Sequence, residues 1–183
     1  MPETQVTPAA ILAFWRDAGP DRWYTPDEAF DAEVRRRFLD LWRKATTGEL
    51  ASWETSGDGA LALVLVLDQF PRNMFRGDAR TYASDALARE VADRAIERGV
   101  DVRIDPALRE FLYLPFMHSE QLPDQLRCIE LSRKAGHTKS LKWAEHHADI
   151  IRRFGRFPHR NRILGRTTTL DEQAFLEESG FSD

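Results

Sequence analysis

Between Asp149 and Asp171 the chain carries Arg152, Arg153, Arg156, Arg160, Arg162 and Arg166, with His159 and Asn161 among them and no acidic residue. Arginine forks bind carboxylate or phosphate oxygens in pairs, amides orient a ligand, and imidazoles exchange protons near neutral pH. Asp68, Gln69, Arg72, Asn73 and Arg76 form an earlier group of the same kind, and His118, Glu120 and His147 are candidates for proton transfer. Phe70-Pro71-Arg72-Asn73 followed by Gly77 echoes Phe157-Pro158-His159-Arg160-Asn161 followed by Gly165. Each reads as a helix end broken at Phe-Pro, with a polar turn closed by Gly. Brought together, the two groups would make a pocket for a small phosphate or carboxylate ligand, with catalysis possible at His118, Glu120 or His147.

A purely structural use of the same residues competes with this one. Arginines can pair with Asp68, Asp85 and Glu120 or tie down loop carbonyls, and His147 can be a hydrogen-bonded core residue, since buried charges need partners whether or not a ligand binds. The run of arginines with no acid nearby in sequence favours a site. His118, Glu120, His146, His147 and His159 are metal-ligand types without a recognised spacing, so no metal and no cofactor is expected. Cys128, the single cysteine, reads as a buried inert thiol. Trp15, Trp42, Trp53 and Trp143 read as core residues rather than base-stacking platforms.

The chain has 183 residues, which suits one domain spanning 1–183. A net charge of -4 argues against general nucleic-acid or membrane-surface binding, so any anion site is local. The most apolar run, Ala60 to Leu67, is far short of the ~20 residues that span a bilayer. The N-terminal residues show no basic segment leading into an apolar signal core. With one cysteine and hence no internal disulfide, the expected location is the cytoplasm. The expected partner is a small anionic ligand, or alternatively an acidic peptide captured by the arginine-rich loop. RNA is the weakest candidate, and the sequence leaves the oligomeric state open.

The elements that must position these residues are helical. Thr7-Pro8 starts a helix that Gly19 should stop, and Thr25 to Glu28 reads as a capping box before the stripe Phe30, Val34, Phe38, Leu41, Trp42 and Ala45. Ala60 to Gln69 reads as a buried helix capped by Asp58, because a lone strand would have no ladder partner. Ala79 to Arg98 reads as one helix with Ala83, Leu87, Val91 and Ile96 inward, and Asp105-Pro106 as the start of another, interrupted at Leu114-Pro115. Leu122, Leu126, Ile129 and Arg133 mark the next, ended by Gly136. In Ser140 to Phe154, His147 falls on the inner face. Thr169 to Glu172 is a second capping box, opening a last helix that runs to Gly180. The expected fold is all-α, about seven to eight helices in stacked antiparallel hairpins, with no sheet.

Leu67-Asp68-Gln69-Phe70-Pro71-Arg72-Asn73 with Phe75-Arg76-Gly77, Tyr113 to Glu120, and His147 with Ile150 to Arg166 resemble the bacterial family catalogued as domain of unknown function 924. The resemblance covers nearly the whole chain. It implies a tetratricopeptide-like all-helical fold and brings no biochemical activity with it. No 34-residue repeat is visible in the sequence itself.

Overall fold

The computed structural model of the chain describes residues 6–179. Every regular element among the described residues is helical, as the patterning predicts, and no strand occurs among them. The described chain groups into two compact units: one runs up to Arg76 and includes Arg80–Pro115, the other holds Gly77–Ala79 and the chain from Phe116 onward.

In the first unit, α1 (Pro8–Trp23) begins with the Thr7 hydroxyl accepting from the Ala10 amide at 3.3 Å. The stop expected at Gly19 is instead a kink. Gly19 takes φ 71° and Pro20 has no amide to donate, so the helical ladder breaks there, and the Trp23 indole donates to the Trp15 carbonyl at 2.7 Å. For α2 (Glu28–Thr46) the cap is Asp27, whose carboxylate accepts from the Ala29 and Phe30 amides, both at 3.0 Å. The helix starts at Glu28, so Thr25 lies too far out to close the expected box. Phe30, Val34, Phe38, Leu41 and Ala45 are buried along it as the stripe requires.

The segment α3 (Gly57–Val64), a π turn (Leu65–Gln69) and α4 (Phe70–Met74) follow one another without interruption. Its Ala, Leu and Val content shows no stripe because it is buried all round. Ser56, not Asp58, caps it, accepting from the Gly59 amide at 3.0 Å; Asp58 is already inside the first turn. A Cβ at Gly59 would collide with the Trp53 carbonyl, so only glycine allows that close approach. The expected helix from Ala79 divides into a 3-10 turn at Ala79–Tyr82 and α5 (Asp85–Glu97). The inward residues of α5 are Ala88, Val91, Ala92 and Ala95, and Leu87 is exposed. Small side chains on that face let α5 pack closely on α3. After Asp105 the chain forms turns, a 3-10 segment at Arg109–Leu112 and the single turn α6 (Leu114–Met117).

In the second unit, α7 (Leu122–Lys134) and α8 (Thr138–Phe154) are joined by residues 135–137 and pack as an antiparallel hairpin, with Arg133 3.6 Å from Glu145. The buried row of α7 is Gln125, Cys128, Ile129 and Ser132, while Leu126 is exposed. The stripe is turned from the expected one because the Gln125 amide is drawn inward by the carbonyls of Met117 and Ser119, both at 2.6 Å. Gly155 ends α8 in the left-handed region, with φ 67°. Helix α9 (Leu170–Ser179) opens with the predicted capping box: the Glu172 carboxylate accepts from the Thr169 amide at 2.8 Å, and the Thr169 hydroxyl from the Glu172 amide at 3.2 Å. Gly180, its expected end, lies outside the described residues. Ile150, Ile151, Phe157 and Phe175 form the core here.

Candidate functional site

Pro71 lies within a continuous helix, so Phe70-Pro71 does not end one as expected. Its missing amide leaves the Leu67 carbonyl without the bond an α-helix would supply. The Ser84 hydroxyl donates to that carbonyl at 2.6 Å, and the Trp42 indole donates to Ser84 Oγ at 2.9 Å. The π turn places Asp68, fully buried, and Gln69 at the same point of the helix; such turns recur at functional sites. Gln69 donates to Asp68 at 2.7 Å. Arg72 donates through both Nη atoms to Asp85 at 3.0 and 3.1 Å, to the Asp68 carbonyl at 2.6 Å, and stands 3.4 Å from the Asp68 carboxylate. Arg76 likewise takes both oxygens of Asp31, at 2.9 and 3.1 Å, and Asn73 donates to Asp31 at 2.7 Å. These bonds tie the end of α4 to α2 and α5.

The second segment belongs to the other unit. Arg166 forks onto Glu120 at 2.8 and 2.9 Å, donates to the Phe157 carbonyl at 3.0 Å, and reaches Asn161 Oδ1 at 2.9 Å. Glu120 also accepts from the Phe157 amide at 2.8 Å. Burial pushes the Glu120 carboxyl up, but the Arg166 fork and the Phe157 amide outweigh it and hold the group below its ordinary value. Arg156 forks onto Glu172 at 2.6 and 2.9 Å, and Asn161 bridges to Glu172 at 3.2 Å. The Arg156 bond, with the Thr169 amide, overcomes burial and holds Glu172 down at about 2. Arg160 is buried over the Phe157 ring at 4.5 Å, and its Nη1 donates to the His118 carbonyl at 3.0 Å.

A family model described as a bacterial protein of unknown function, DUF924, matches residues 11–180. The chain belongs to the DUF924 family. A solved structure of a protein of unknown function from Agrobacterium tumefaciens is 49% identical to it, covering 94% of this chain and 97% of that chain with a TM-score of 0.91. A search of curated proteins found no significant match.

In this DUF924 chain the forks of Arg72, Arg76, Arg156 and Arg166 are thus each closed on a carboxylate of the same unit. His147 is half-buried; its Nδ1 lies 2.8 Å from the Trp143 carbonyl, which can only accept, so Nδ1 carries the proton. Its ring packs edge-on to Phe157 at 5.5 Å, and the His159 ring lies 5.6 Å from the same Phe157. Arg153 is exposed, 4.0 Å from Asp149 and 5.1 Å above the Phe175 ring. Among the described residues, two open clefts stand out. One of about 450 Å³ in the first unit is lined by Phe14, Asp17, Arg22, Phe30, Glu33 and Arg37 with Ala10, Ala13 and Ala18. The other, of about 430 Å³ in the second unit, is lined by Arg153, Phe154, Asp171, Ala174, Phe175 and Glu178, so Arg153 alone of the expected site residues lines either cleft.

Among the described residues no group of three or more His, Cys, Asp or Glu is placed to hold a metal ion. No helix among them is long and apolar enough to cross a membrane. Burial pushes the Cys128 thiol up to about 12, which makes it inert at neutral pH. The expectations missed Asp31, Ser84 and the hydrogen-bonding role of Trp42, and named Glu172 only as a cap. One signal was present: a proline inside a helix leaves a carbonyl that needs a hydroxyl elsewhere in the chain.

Proposed function

We propose that this DUF924 chain is a helical interaction module that captures an acidic peptide segment through exposed arginines of α8 and the loop that follows it. The observation that carries this is the difference among the arginines. Arg72, Arg76, Arg156 and Arg166 each hold both oxygens of an internal carboxylate. Arg152 and Arg162 are exposed, and among the described residues no hydrogen bond or ion pair engages them. A fork that already holds a carboxylate offers a small anion only an exchange of partners, with little net gain, whereas an exposed guanidinium offers a new contact. This reading fits the tetratricopeptide-like stacking that the family resemblance implies. It also treats 1–183 as one domain, in keeping with a family match that spans 11–180.

The competing function is a receptor, catalytic or not, for a small phosphate or carboxylate held by the expected site arginines, with His118, Glu120 or His147 moving protons. The test sets the two side by side. A fluorescein-labelled hexaglutamate peptide is titrated into wild type and the triple variant R152Q/R153Q/R162Q, and wild type is screened by thermal shift against phosphorylated and carboxylated metabolites. Peptide binding that weakens with salt and is lost in the triple variant at unchanged melting temperature is the expected result. No peptide binding, together with a metabolite that raises the melting temperature, would overturn the module in favour of the receptor.

A further inference from the structure

Helix α8 carries a second exposed feature toward its N-terminal end. Lys139, Lys142, Trp143 and His146 follow the spacing i, i+3, i+4, i+7, which puts them on one face, and all of them are exposed. Trp143 is 50% exposed, an unusual position for the largest apolar side chain. The indole is buttressed: its ring centroid lies 6.1 Å from His146 and 6.3 Å from His147, and His147 grips the Trp143 carbonyl while packing on the fully buried Phe157. A rigid indole presented to solvent has the character of an interface anchor. Of the nearby acids, Glu145 pairs with Arg133 at 3.6 Å, Glu130 with Lys134 at 2.7 Å, and Asp149, on the same face as Lys142, lies 4.0 Å from Arg153. Among the described residues no hydrogen bond or ion pair engages Lys142.

We infer that the acidic segment captured by α8 also carries one apolar side chain, Leu or aromatic, which seats on Trp143 between Lys139, Lys142 and His146. This rests on the peptide-capture reading above. The spacing of the two halves follows from helix geometry. Arg153 is eleven residues, about three turns, beyond Lys142 on the same side, and ten residues beyond Trp143, a rise of about 15 Å. An extended peptide covers that distance in about five residues. The partner therefore has its apolar anchor about five residues from its acidic run. A short peptide is favoured over a polyanion or an anionic membrane because the chain as a whole is net negative at -4, so a long anion meets repulsion away from this face.

The experiment compares two labelled peptides by fluorescence anisotropy. One has three glutamates and a leucine five residues away, the other glycine in place of the leucine. Wild type should bind the leucine peptide about tenfold more tightly than the glycine peptide. Trp143→Ala should abolish that preference and Trp143→Phe restore most of it, while Lys142→Gln weakens both peptides, all at unchanged melting temperature. Equal binding of the two peptides by wild type, or a preference that survives in Trp143→Ala, overturns the inference. If the glycine peptide binds and is lost in R152Q/R153Q/R162Q but no preference exists, only the anchor falls; if neither peptide binds, the capture reading falls with it. Trp143-dependent binding of phosphatidylserine vesicles or an oligouridylate, with neither peptide bound, would overturn it in favour of a lipid or RNA surface.

Discussion

Pro71 sits inside a continuous buried helix, and Pro158 opens a 3-10 turn after α8 has already ended at Gly155. Each follows a phenylalanine and precedes an Arg-Asn pair, yet the consequences differ. Within the helix the lost amide orphans a carbonyl, and Ser84, itself held by the Trp42 indole, is recruited to satisfy it. At the start of a turn the amide would have had no partner in any case, so nothing is recruited. The arginines differ for a related reason. Arg72 forks onto the Asp85 carboxylate with buried Asp68 in reach, whereas Arg160 lies over an aromatic ring, donates to the His118 carbonyl, and acts on the Glu120 carboxylate by its charge. Asn73 steadies one acid, Asp31, but Asn161 links Arg166 to Glu172 and so joins two ion pairs. The same short pattern supplies an arginine and an amide to each unit, and the surrounding side chains decide what they hold.

The largest expected effect tests that contrast directly. Arg72→Gln strands Asp68 and Asp85 and should destabilise by ~3 to 5 kcal/mol, while Arg160→Gln removes the bond to the His118 carbonyl and the Phe157 ring contact and should cost less. Urea unfolding of both variants measures the gap; equal losses would break the comparison. Next comes acid. The Glu172 carboxyl, at about 2 when folded against 4.5 when free, contributes stability that is fully present above about pH 4.5 and is lost as pH falls toward 2. That contribution is on the order of 2 to 3 kcal/mol. Unfolding curves of wild type and Glu172→Gln over this range should converge at the acid end, and parallel curves would show that the Arg156 fork does not hold the group down.

Ser84→Ala should cost ~1 to 3 kcal/mol by leaving the Leu67 carbonyl and the Trp42 indole unsatisfied. In a Pro71→Ala background the loss should shrink, because an amide returns to the helix, and a double-mutant cycle reads that coupling. Additive losses would mean that Ser84 does not answer for the proline. The smallest effect is expected at Pro158→Ala, within about 0.5 kcal/mol, since no ladder bond depends on it. A loss as large as that of Ser84→Ala would make the two prolines alike.

Local chemistry was legible in the sequence. The Thr169 to Glu172 box is made between residues three apart, and the stripe of α2 needs only helical periodicity, so both stand in the structure as expected. Helical Ala60 to Gln69 was also within reach, although its π turn was not, because a segment buried all round has no stripe whose phase an extra residue could shift. Periodicity failed where a polar group set the orientation: Gln125 turned inward by two carbonyls put Leu126 outside. Trp143, expected in the core, is half exposed because its stripe neighbours are Lys139, Lys142 and His146.

Pairings of the arginines were beyond that reach. Arg76 meets Asp31 across 45 positions and Arg166 meets Glu120 across 46, and nothing in the local sequence distinguishes an arginine with such a distant partner from one without. The sequence by itself determined that the chain is helical, where most helices run, and that its arginines and asparagines gather in two echoing segments, because capping, periodicity and proline act over a few residues. Only the tertiary structure decided which arginines are closed on carboxylates and which stay exposed, because desolvation and charge pairing depend on what the fold brings within a few ångströms, whatever the separation along the chain.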